Sequence, residues 1–216
     1  MVRMLRRNKG ITLVEHMMSL LLGSVMIISI YSFCRTQLVH TLAQETKTAT
    51  LEDARGAVDL IVRDLKNAGA WGDGVPPAET GIADDPETDS DSICNRVYAA
   101  TATKIHVQMD LNGNGNCADP DPRENIRYEL TGPTSTCSGT KIIRRNGDCL
   151  VANITTPVAE KLFSYFDAAG ADLGAAPPLA AIKRVRVAFA VRAKSPIAQS
   201  RAFIASELST SVELRN

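Results

Sequence analysis

Only three histidines occur among the 216 residues. His16 lies in an apolar run, His40 beyond it and His106 in a later alternating segment, so no Ser/His/Asp or Cys/His group can be assembled, and the chain reads as non-enzymatic. No glycine-rich phosphate loop is present. There is no Cys-x-x-Cys pair and His106 is the one histidine near the later cysteines, which argues against zinc. Surplus positive charge is also missing, with 24 bases against 24 acids. Without Met1–Gly10, which holds four bases and no acid, 20 bases face 24 acids, a charge of −4. Such a balance excludes general nucleic-acid binding. Lys183, Arg184, Arg186, Arg192 and Lys194 are a local exception, read either as a DNA-contacting strand or, more simply, as a solvated face.

A small-residue cleavage site of the Ala-x-Ala kind is absent after Phe33, which argues against an ordinary secretory signal peptide. What stands there instead is an apolar run from Ile11 to Phe33, preceded by Arg3, Arg6, Arg7 and Lys9. About 20 apolar residues in a helix cross the hydrocarbon core of a bilayer. The leading bases place the N-terminus in the cytoplasm and the rest outside. A plain single-span anchor explains all of this except Glu15, a carboxylate at the start of the run that is costly in hydrocarbon unless paired or near the interface.

Beyond Phe33 no proline or glycine interrupts a helical pattern until Gly56, and Leu38, Leu42 and Glu45 keep its spacing. Leu51, Ala54, Val58, Ile61 and Leu65 form a seam, with Glu52, Asp53, Arg55, Asp59, Arg63, Asp64 and Lys66 on the other faces. Asn67-Ala68-Gly69 is a helix stop, and the single tryptophan, Trp71, is expected to cap the core there. One helix from Ile11 to about Ala68 is roughly 85 Å long at 1.5 Å per residue. A compact domain of this size cannot enclose it, so the apolar half is expected to project and the amphipathic half to pack on a sheet.

Asp73 to Ser92 reads as a surface loop. Strands are expected over 104–109, 125–130, 141–145, 149–152, 158–166, 182–191 and 203–214, with Asn146-Gly147-Asp148 as a hairpin turn. The result is an α+β plan, one long helix followed by antiparallel strands. Cys94, Cys117, Cys137 and Cys149 suggest two disulfides in an oxidising compartment. Of three possible pairings, Cys94–Cys117 and Cys137–Cys149 close modest loops and are favoured. Asp110, Asn112, Asn114 and Asn116, with Asp121, match the first half of a calcium loop. A polar turn pinned by Cys117 is the other reading. Calcium is the only cofactor the sequence suggests.

Gly10-Ile11, followed by Leu13, Val14 and Glu15 at the head of the apolar run, resembles the type III signal of type IV pilins and type II secretion pseudopilins. Asp64-Leu65-Lys66-Asn67-Ala68-Gly69-Ala70-Trp71-Gly72, Phe163-Ser164-Tyr165-Phe166-Asp167 and Val212-Glu213-Leu214-Arg215-Asn216 are similar to segments of PilW-type minor pilins and J-type pseudopilins. The resemblance implies a leader, residues 1–10, cut after Gly10 by a prepilin peptidase, with N-methylation at Ile11. It implies a membrane and filament-core helix over 11–34, an amphipathic half over 35–69, and a β-rich head over 70–216. Glu15 would meet the N-terminal amine of a neighbouring subunit. The implied function is that of a minor pilin in the inner membrane, with its head in the periplasm before assembly and at the cell surface after. It would prime the pilus with other minor pilins and the major pilin, and support adhesion or twitching motility. A minor pseudopilin of a type II secretion system, and a calcium-stabilised tip adhesin using the 73–92 and 110–121 loops, are the alternatives.

Overall fold

A computed structural model describes residues 12–71, 96–113, 122–156, 161–193 and 204–215. The helix α1, Leu13–Asn67, runs 55 residues without a break. Its buried side chains are Ala54, Ala57, Ile61, Asp64 and Leu65, followed by Ala68 just past its end. Apart from Asp64, the steps are of three and four residues, as an amphipathic stripe requires. Two expectations change here. Leu51 and Val58 lie half-buried on the flank and Ala57 takes the centre, because small residues let the helix approach the sheet closely. Asp64, expected on the polar face, is only 4% exposed.

Among the described residues nine strands follow: β1 Val97–Ala100, β2 Lys104–Gln108, β3 Asn125–Thr131, β4 Ile142–Arg145, β5 Asp148–Ala152, β6 Ile154–Thr155, β7 Phe163–Phe166, β8 Arg184–Ala193 and β9 Ile204–Glu213. The first five form an antiparallel meander in chain order. In the second sheet β8 is central, with β9 along one edge and β7 and β6 in succession along the other. The long helix and antiparallel sheets are the expected α+β layout. β1 and β6 were not expected; both are too short to show an alternating pattern. β7 begins only at Phe163, although a strand was expected from residue 158. The helix packs chiefly on β8 and β9 and also on β5. The sheets are stitched at one corner, where the Tyr165 hydroxyl donates to the Thr101 carbonyl at 2.7 Å and the Leu162 and Phe163 N–H groups donate to Ala102.

Two turns depend on left-handed backbone. Asn146 (φ 50°) and Gly147 (φ 90°) make the two-residue β4–β5 hairpin, as the dipeptide predicts. The Asn146 carboxamide accepts from the Arg127 N–H at 2.7 Å and donates to the Pro122 and Asn125 carbonyls, so the turn is also tied to β3. Gly69 (φ 76°) ends the helix and its N–H donates to the Gln108 carbonyl at 3.0 Å, joining the helix exit to β2. A Cβ at Gly69 would stand 2.9 Å from Arg96 Cγ. That buried arginine crosses to the Ile182 and Arg215 carbonyls, which holds the chain's last strand to the helix exit. Trp71 is half-buried, and the core at this end is closed by Ala68 and Ala70 instead.

Candidate functional site

Thr12 caps α1, its hydroxyl accepting from the Glu15 N–H at 3.3 Å. Glu15 therefore lies in the first turn, where a carboxylate meets the positive end of the helix dipole. Its side chain is exposed, with no cation against it among the described residues. Every large apolar residue from Leu13 to Phe33 is more than half exposed. The segment is long and apolar enough to span a membrane. Ser19, Ser24 and Ser29 each donate to a carbonyl three or four residues back at 2.8 Å, so these hydroxyls need no water. The projecting part is longer than expected. Leu38 and Leu42 remain exposed, and full burial on the head begins only at Ala54. Gly10 and Ile11 lie outside the described residues, and Cys34 is a free, exposed cysteine at the outer end of the apolar run.

The loop read as a calcium site is described only at its start and its return. Asp110, 4% exposed, accepts from the Gly113 N–H at 2.7 Å through Oδ1. Glu124 is fully buried and organises the turn. Its Oε1 accepts from the Leu111 and Asn112 N–H groups at 2.9 and 2.8 Å, and its Oε2 from Asn112 Nδ2 at 3.2 Å. Asn112 thus faces a protein carboxylate through its amide nitrogen. Asn114, Asn116 and Asp121 lie outside the described residues. No group of three metal-ligating side chains occurs among the described residues. Glu124 was missed in the sequence, although the β2–β3 register that pairs Gln108 with Asn125 sets it beside Met109.

Cys137 and Cys149 form a disulfide with Cα atoms 5.8 Å apart, one of the two favoured pairings. It fastens the loop before β4 to β5. Cys94 and Cys117 lie outside the described residues. Arg184, Arg186 and Arg192 share one face of β8, and Arg186 and Arg192 are exposed there. Arg184 stacks on Phe166, 5.1 Å from the ring centre, Arg186 donates to the Ser209 hydroxyl at 3.0 Å, and Glu213 stands opposite Arg184. Lys194 lies outside the described residues.

A buried polar cluster, unanticipated from the sequence, joins helix and sheet. The Tyr128 hydroxyl donates to Asp64 Oδ2 at 2.7 Å, and Arg145 Nε donates to the same oxygen at 2.9 Å. Burial, then the Asp64 contact, pushes the Tyr128 pKa far above the ordinary phenol value. His106 is a second buried group, 4% exposed, with Nε2 against the Asn125 side-chain oxygen, Nδ1 without a partner, and the Tyr98 ring 5.2 Å away. Burial lowers its pKa; the Asn125 hydrogen bond opposes this, and the Lys104 and Arg127 charges add to it.

The unfolded chain therefore binds the imidazole proton more tightly than the folded one. The contribution of His106 to stability is full above the usual value of 6.5 and is lost as pH falls through the lowered folded value. Thermal unfolding of His106→Gln should show a shallower loss of stability than the parent chain on acidification from 6.5, before the carboxylates titrate. Parallel curves would show that His106 is not the group responsible.

Comparison of the chain with protein-family models, with curated proteins and with solved structures finds no match.

Proposed function

We propose that this chain is a minor pilin of the PilW type, working by assembly and not by turnover. The observation that carries the reading is a single 55-residue helix whose first half is apolar and exposed on every side while its end is built into a β-rich head. Such a surface has only two stable surroundings, hydrocarbon and other apolar helices. The same segment can use both in turn, first as an inner-membrane anchor and then as a filament strand. Under this reading the leader would leave at Gly10, and the chain would join other minor pilins to prime growth of the major pilin.

Deletion of the gene tests it. Loss of surface pili, restored by the full-length chain, is the expected result. Exoproteins trapped in the periplasm with normal piliation would replace the pilus with a secretion system. Normal piliation with lost attachment would leave only an adhesive role.

A further inference from the structure

Among the described residues β9 is bonded along one edge only. All ten residues pair with β8 in unbroken antiparallel register, from Arg184 opposite Glu213 to Ala193 opposite Ile204. Bonded and non-bonded pairs alternate in such a ladder. The Leu214 N–H donates to the Lys183 carbonyl at 2.9 Å, which sets the phase. Ser206, Leu208, Thr210 and Val212 therefore bond to β8, while Ala205, Glu207, Ser209, Ser211 and Glu213 turn their backbone groups away. The far side of β8 agrees with that phase. Ala188 and Arg192, opposite Ser209 and Ala205, send their N–H groups to Leu162 and Asn153 at 3.0 Å.

No described residue meets the outward backbone groups of β9. The side chains of Glu207, Ser209, Ser211 and Glu213 are exposed as well. Edge strands are ordinarily protected by a bulge, a proline, charged side chains (lysine above all) or a covering helix or loop. β9 has a continuous register and contains neither proline nor lysine.

We infer that the outer edge of β9 is a docking site for one extended strand of a partner protein with basic side chains, added to the sheet through backbone hydrogen bonds. The charge of the partner follows from the exposed row, whose only formal charges are Glu207 and Glu213. They lie about 20 Å apart along a strand at 3.3 Å per residue. A second copy of β9 is the poorer occupant because it brings no cation: antiparallel pairing through the outward residues, with Ser209 opposite itself, sets each Glu207 opposite Ser211 and each Glu213 opposite Ala205. Arg184 holds the register position across from Glu213 on the β8 side, and a basic residue of the partner would hold the matching position on the open side. The inference does not depend on the assembly reading.

Two measurements on the full-length chain in detergent micelles test it. In backbone amide exchange, residues 205, 207, 209, 211 and 213 should exchange at least about a hundredfold faster than 206, 208, 210 and 212. Equal protection of the two sets means that the edge is already covered and overturns the inference. Fluorescence anisotropy should then show binding of a Thr/Val-alternating peptide about eleven residues long carrying two lysines at the Glu207–Glu213 spacing, and not of its glutamate counterpart. Ser209→Pro removes an outward N–H and leaves the β8 ladder intact, and should weaken the lysine peptide at least about tenfold, or 1.4 kcal/mol. The double variant Glu207→Lys/Glu213→Lys should prefer the glutamate peptide. Unchanged binding to either variant, equal binding of both peptides, or dimerisation through β9 in place of peptide uptake each overturns it.

Discussion

Glu15→Ala is expected to leave the chain inserted and trimmed while keeping it out of filaments. The carboxylate stands in the first turn of a helix whose next Asp, Glu, Lys or Arg is Arg35, and no described residue neutralises it. In a lone anchor, alanine would be the better residue, since it removes the cost of a charge at the edge of hydrocarbon. In a helical bundle that excludes water, the same carboxylate can oppose a neighbour's N-terminal amine, and removing one member of such a pair leaves the other charge buried and unmatched. The expected loss of incorporation is therefore at least about a hundredfold, the usual consequence of orphaning a buried ion-pair partner. The mass of the membrane-extracted chain reports trimming, and immunoblots of sheared filaments report incorporation. Glu15→Asp, which retains the charge on a shorter side chain, should recover part of the loss. Wild-type amounts of Glu15→Ala in filaments would remove Glu15 from the assembly mechanism.

The long helix was legible because two patterns join without a breaker: an apolar run, then a stripe from Ala54 to Leu65. The Asn146–Gly147 hairpin was legible because its backbone angles are ones those two residues favour. The polar interior was hidden. Asp64 sits in a charged stretch, and nothing local distinguishes it from Asp59, which is exposed. Its burial depends on Tyr128 and Arg145, 64 and 81 residues away. Glu124 is similar, since its role appears only once β2 and β3 are in register. Residues 110–112 did announce a turn of oxygen-bearing side chains, but the carboxylate that organises its described part came from outside the motif.

The cluster at Asp64 carries the largest expected effect on stability. Tyr128 and Arg145 are direct cross-strand neighbours on β3 and β4, so one carboxylate oxygen on the helix holds two strands of the first sheet. The helix otherwise packs chiefly on β8 and β9, in the second sheet, which makes this contact its polar tie to the first. Arg63 also approaches Asp64 at 3.5 Å, but its side chain is 68% exposed and adds little. Asp64→Ala leaves a phenol hydroxyl buried without its acceptor and a guanidinium without its anion. The Arg145 side chain keeps 22% of its exposure, so water meets part of its charge. The expected cost is therefore near the lower end for a broken buried pair, about 3 kcal/mol. For a chain of this size that corresponds to about 6–12 °C in Tm, read by circular dichroism of the full-length chain in detergent. Tyr128→Phe, which keeps the ion pair, should cost only about 1 kcal/mol. Asp64→Ala combined with Tyr128→Phe should be less destabilised than the sum of the two, because the second change removes the orphaned hydroxyl. An Asp64→Ala loss within about 0.5 kcal/mol, the range of an ordinary surface substitution, would mean that apolar packing alone fixes the helix on the head.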